Sequence, residues 1–316
     1  MRPLATSNVP RVHRNGDLSS RLPKAWPRIV AATGVALALT IANRIYHVDV
    51  PTVGTVPFTT LGVAISIFLG FRNNTAYTRF WEARTLWGAH INASRSFARQ
   101  VMTLVESSDT NVRPFQQDVV MATIAYAHSF KNHLQDDDVM DGIEELMLPT
   151  EAAWLRTQNN VPVAILHIIG RRLSLARERG WVTGAATIVL EGTLTDITNV
   201  QGGCERIKNT PVPETYGYLS RSITTLFCLI LPLGILDTVH LLTPLVSFLV
   251  AYAFFGLDAL GDEVAQPFGH DPHDLPLERY TETIETNLRQ ILREEELPAL
   301  ELGVERPPVM GEGAIY

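Results

Sequence analysis

The sequence is poor in the features that usually announce chemistry. Its 316 residues include only two cysteines, Cys204 and Cys228. So placed, they suggest neither a disulfide framework nor a Cys-based zinc site, and each reads as a small buried apolar side chain. An excess of basic charge is missing too. The formal net charge is −7 and the pI about 5.7, which argues against a nucleic-acid binder held by bulk charge. There is no phosphate-cradling glycine loop, no nucleophile elbow and no His-Glu metal helix. The chain is therefore not expected to be an enzyme, and no cofactor is called for. Period-two strand runs are few, and low-complexity segments and internal repeats are absent. No cleavable signal peptide is evident: the basic start is long, and no small-residue cleavage site clearly follows the first apolar run.

What the chain does have is charge-free windows. Hydrophobic residues make up 46% of it, and a mean hydropathy of +0.09 suits a protein that is part membrane and part soluble. Two windows, 29–43 and 50–71, lie near the start. A long polar stretch follows, and then come 222–236 and 238–257. Each short window pairs with a longer one across a brief connection, around Asp49–Pro51 and around Asp237. This pattern predicts four membrane helices in two hairpins, near 29–47, 54–72, 217–236 and 238–258. Lys and Arg set the orientation. Arg2, Arg11, Arg14, Arg21, Lys24 and Arg28 precede the first window; Arg72, Arg79, Arg84, Arg95 and Arg99 follow the second; the intra-hairpin connections hold only Arg44. The positive-inside rule then predicts a multi-pass protein of the cell (inner) membrane with both termini and the middle segment cytoplasmic.

The middle segment, 73–215, reads as helical. Ala93–Val105 and Asp118–His133 show apolar residues at three- and four-residue spacing. Thr150 stands as a cap before a short helical run, and Pro162 opens another that ends near Gly180. The stretch from Thr183 to Ile207 reads as a further helix, which Gly202-Gly203 either stops or opens to close approach by another backbone. The expected fold class is all-α, four transmembrane helices continuous with a cytoplasmic helical bundle. A basic segment, 1–27, precedes the main domain, 28–300, and a tail, 301–316, expected to be flexible, follows it.

Few residues offer a site. His270, Asp271, His273 and Asp274 in "GHDPHDLP" have the spacing of a weak divalent-metal site, but Asp-Pro and Asp-Leu-Pro are also ordinary turn chemistry, and that reading is favoured. His128 and His133 lie five apart and do not share a helical face well. In the second window, Val63, Ile67 and Phe71 recur at intervals of four and form one stripe, while Gly62, Ala64 and Ser66 offer small surfaces to neighbouring helices. Such a stripe faces lipid or another helix, or, in a ring of identical copies, a central axis. Rings of apolar side chains gate by dewetting. Just beyond lie Arg72, Arg79, Arg84, Trp81, Glu82 and Trp87. Guanidinium groups stack on indoles and pair with carboxylates, so the helix is expected to leave the bilayer and continue into a packed bundle.

These residues also carry a resemblance. "FLGFRNNTAYTRFWEARTLWG", "GGCERIKNTPVPETY" and "DEVAQPFGHDPHDLPL" occur in the order seen in the bestrophin family of ion channels, and the likeness runs from about Arg28 to Arg293. It closely resembles a prokaryotic bestrophin homologue. The resemblance implies a homopentamer in membrane lipid around one central pore, passing small monovalent permeant ions, with chloride as the default. A cation-selective pore on the same scaffold, or a membrane-anchored scaffold or sensor without conduction, stays open. It further implies a neck at Val63, Ile67 and Phe71, with Val63 less bulky than the isoleucine common there. A second constriction is implied between Ile207 and Val212, with Ile207, Thr210 and Val212 as candidates. Eukaryotic members carry a dense acidic calcium clasp after "PFG". Here only Asp271 and Asp274 remain, so no calcium activation is expected there.

Overall fold

The computed structural model describes residues 25–211 and 213–293. The expectations placed on 1–24 and on 301–316, and that for Val212, lie outside the described residues. Among the described residues all regular structure is helical. We number the α-helices α1 (Trp26–Arg44), α2 (Thr55–Leu104), α3 (Val112–Gln135), α4 (Pro149–Leu155), α5 (Val161–Glu178), α6 (Gly184–Asn209), α7 (Glu214–Val239), α8 (Thr243–Val264) and α9 (Leu277–Ile291).

At 50 residues, α2 is about 75 Å long. A bilayer core is about 30 Å thick, so only part of it fits within lipid. The helix is not interrupted where its composition changes at Arg72, as the sequence predicts.

The described chain forms two compact units, one from residues up to Ala89 and from Asn199 to Leu277, the other from His90–Thr198 and from Glu278 onward. In the first unit, α1 packs on α8 and α7, and Ile29 shares a buried cluster with Phe58, Ile65 and Leu69 of α2. Ala32 and Ala36, both fully buried, present a small-residue stripe that admits close neighbours. The second hairpin does form. Ser220 donates to Asp258, and the rings of Phe227 and Phe254 lie 5.5 Å apart, so α7 and α8 run antiparallel. The reversal sits at His240, later than the expected break at Asp237. Charge alone does not end a helix, whereas the backbone of His240, at φ +50°, leaves the helical region. Hydroxyls in the apolar helices bond back to the preceding turn, as Thr33 to Ile29, Thr40 to Ala36 and Ser66 to Gly62, each at 2.8 Å. That satisfies them without water.

In the second unit α3 is the central helix, with most of its length buried. Gln116 Nε2 donates to the carbonyl of Val105 at 2.9 Å and so caps the end of α2. His90 packs edge-on against Tyr126 and Phe130. Burial lowers its pKa to about 3, so it sits in the core as a neutral ring. Helix α4 begins at Pro149, one residue before the expected cap at Thr150, with the Glu151 carboxylate accepting from Leu148 N at 3.4 Å. Asn160 caps α5 through Val163 N, and Gly180 beyond its end has φ +74°. Helix α9 is held to α3 by Glu285 to His128 at 2.7 Å and by Glu278 to Lys131. His128 thus has the Glu285 carboxylate as its partner.

Candidate functional site

The site is built on the first half of α2. One face of that helix is buried along its length, through Phe58, Ile65, Leu69, Ala76, Ala83 and Trp87. Val63, Ile67 and Phe71 each lie two positions from one of those residues. At about 100° per residue, that puts them across the helix. They are 55%, 56% and 71% exposed. The structure thus places the three predicted residues on one uncovered apolar face.

The next residue, Arg72, turns the other way into a network of charges. Its Nη1 donates to Asp258 Oδ1 at 2.6 Å and its Nη2 to Asp262 Oδ1. Ser220 Oγ donates to the same Asp258 oxygen at 3.0 Å. Arg221 Nη2 donates to Asp262 Oδ2 at 2.6 Å. Beside it, Asn73 Nδ2 donates to Leu257 O at 2.9 Å. Gly261 faces Asn73 so closely that a Cβ there would overlap the amide oxygen. Two carboxylates at i and i+4 on α8 thus hold two guanidinium groups from different helices, the arrangement a buried charge needs if it is to stay ionised. Sequence reasoning singled out Arg72 but not Asp258 or its pairing with Asp262. The signal was present, because Asp258 and Asp262 close one apolar window as Arg72 closes another.

Further along α2, Arg79 Nη2 donates to Ile207 O at 2.6 Å and Nη1 to Thr210 O. These are carbonyls at the end of α6, which a helix leaves without partners and a cation satisfies well. Glu82 pairs with Arg206 rather than with Arg79. Of the two indoles, Trp87 fills the core, whereas Trp81 is 59% exposed and stacks on Tyr77. Gly202-Gly203 does not stop α6; Gly203 admits the side chain of Leu86, which a Cβ would crowd at 2.9 Å. The side chain of Ile207 is buried, so of the lower-constriction candidates it faces its own subunit's interior, while Thr210 is exposed.

The His270–Asp274 segment is a turn. Asp271 N donates to Asp274 Oδ2 at 2.8 Å, and Asp274 N to Asp271 O at 2.9 Å. Partial burial raises the Asp274 pKa. Among the described residues no three His, Cys, Asp or Glu side chains converge as a metal site would require. The carboxylate that a cation needs is engaged with the backbone of its own loop.

Three stretches of the described chain are long and apolar enough to cross a membrane: Trp26–Arg44, Thr55–Leu104 and Thr215–Val264. The protein is a multi-pass membrane protein. Comparison with known proteins agrees. The chain is 38% identical over 243 residues to the voltage-dependent anion channel-forming protein YneE of Escherichia coli K12, covering 77% of this chain and 78% of that one. It is 32% identical over 275 residues to the voltage-dependent anion channel-forming protein mll4386 of Mesorhizobium japonicum, covering 87% of each. A point mutant of a bacterial bestrophin homologue from Klebsiella pneumoniae superposes with a TM-score of 0.81 at 31% identity, over 87% of this chain and 98% of that one. Residues 10–290 match the family described as bacterial/fungal bestrophin protein, and with the fold and motifs above the chain belongs to that family.

Proposed function

We propose that the protein is a homopentameric channel that passes small monovalent anions, chloride foremost, through a neck lined by Val63, Ile67 and Phe71. It acts by conduction and not by catalysis. The observation that carries this reading is the split character of α2: one face is packed within the subunit, and the opposite face presents three large apolar side chains that the described residues leave more than half exposed. In a five-fold ring those side chains form stacked apolar collars, which a permeating ion crosses partly dehydrated. Relatives named as voltage-dependent anion channel-forming proteins favour an anion over a cation.

In this reading α1, α2, α7 and α8 each cross the membrane, because the Thr215–Val264 stretch folds back at His240. The Arg-rich end of α2 faces the cytoplasm. The lower constriction falls at Thr210–Val212 or among the uncovered apolar side chains at the start of α6, Ile188 and Val189, since the Ile207 side chain is buried.

Purified protein in planar bilayers under a KCl gradient tests the proposal. A reversal potential near the chloride equilibrium value is expected. One near the potassium value makes the pore cation-selective. No current from a verified pentamer across ligands and voltages removes conduction and leaves a membrane-anchored scaffold or sensor.

A further inference from the structure

Helix α5 carries two consecutive arginines with opposite fates. Arg172 is fully committed. Its Nη1 donates to Asp118 O at 2.6 Å and its Nη2 to Glu151 Oε2 at 2.7 Å. Arg171 is exposed and has no hydrogen bond or ion pair among the described residues. It opens onto a cleft of about 550 Å³ whose apolar wall is Trp154, Ile168 and Leu175. His167 and Ser174 stand one turn to either side of it on the same face, and neither side chain has a polar partner among the described residues. The same three residues border a second cleft of about 380 Å³, which reaches Thr195 and Thr198 on α6. His167, Arg171 and Ser174 therefore form a polar ridge between two cavities of one unit.

We propose that this ridge binds a small organic monoanion, a carboxylate carrying a planar apolar body. The carboxylate takes the free Arg171 fork, with His167 and Ser174 as flanking donors. The body lies against the half-exposed indole of Trp154. A guanidinium matches a carboxylate in a bidentate pair, and an indole supplies a flat apolar face at low entropic cost. The larger cleft has the volume of a small-molecule site. Charge selects the class. Glu151 is neutralised by Arg172, while Glu178 at the cleft margin has no cationic partner among the described residues. The smaller cleft adds the Glu191 carboxylate on the other side of the ridge, so one cation is on offer between two repelling carboxylates, which suits a single negative charge and disfavours a polyanion. The inference stands apart from the pore reading and does not need it.

The test uses the full chain in detergent, titrated with benzoate and, in a parallel arm, with inorganic phosphate, by calorimetry and tryptophan fluorescence. Saturable benzoate binding at millimolar concentration or below is expected. Arg171→Ala, at an exposed position that leaves the fold intact, weakens it about tenfold or more, and Arg171→Lys restores part of the loss. Trp154→Leu removes the fluorescence response and weakens binding. Three outcomes overturn the proposal: no saturation in the wild type, equal affinity in Arg171→Ala, or phosphate binding as tightly as benzoate.

Discussion

Arg72 Nη1 lies 2.6 Å from Asp258 Oδ1, with the two side chains only 8% and 4% exposed. Removing one member of such a pair strands the other as a buried charge. Asp258→Ala is expected to cost about 3–5 kcal/mol. Asp262→Ala, at a side chain 43% exposed, is expected to cost no more than about 1 kcal/mol. Denaturation of the two variants in detergent measures the difference. Equal losses would mean that the network does not rest on the buried carboxylate.

Two glycines hold helices at short range. Gly261→Ala drives a methyl into Asn73 Oδ1, and Gly234→Ala drives one into the Phe58 ring. Each is expected to destabilise by about 1–3 kcal/mol. Phe58→Leu in the Gly234→Ala background should return part of that loss. A double variant no better than the single would show that the strain is not taken up at Phe58.

In the proposed neck, Ile67→Ala and Phe71→Ala remove apolar bulk and are expected to widen or rewet the constriction, raising single-channel conductance. Single-channel recording decides this. Conductance and gating unchanged in both variants would remove the stripe from the pore.

Helix α9 carries a pH dependence. Burial opposes ionisation of Glu285, but hydrogen bonds from Arg289 and His128 outweigh it and hold its pKa below the ordinary glutamate value of 4.5. A depressed acid pKa means that the unfolded chain binds the proton first. The stabilisation is therefore present above that ordinary value and fades as pH falls through the lower folded one. Hydrogen-exchange protection factors across α9, corrected for the intrinsic pH dependence of amide exchange, are expected to fall on acidification below about pH 4.5, and less so in Glu285→Gln. An identical pH response in that variant would assign the effect elsewhere.

Cys204 is buried beside Glu205 and Glu82, and burial first, then those charges, pushes its thiol up to about 12. Since the thiolate is the reactive form, maleimide is expected to leave Cys204 unlabelled in the folded protein at neutral pH and to label it after unfolding. Fast labelling of the native protein would contradict the packing of α6.

Much of this architecture is legible in residue order. The apolar windows locate α1, α2, α7 and α8, and the unbroken pattern through Arg72 predicts a helix that continues past the lipid. The interval of four places Val63, Ile67 and Phe71 on one face, because helical geometry is local and fixed. Other points needed the fold. The partner of Arg72 lies 186 residues away, and a carboxylate in one window carries no mark naming the arginine it meets. Glu82 has Arg79 three residues away yet pairs with Arg206, because Arg79 is drawn to the open carbonyls of α6.

By itself, then, the sequence determined which segments are apolar enough to cross a membrane, the helical character of the described residues and the faces of α2, since each follows from local periodicity and hydropathy. Only the tertiary structure decided that α1 leans on α7 and α8, that the second hairpin turns at His240, that Trp87 is core while Trp81 is surface, and that Arg172 is held while Arg171 has no partner among the described residues. The physical reason is the same in each case. Long-range pairing is set by the competition of many groups for few partners, and that competition is settled only once the helices are packed.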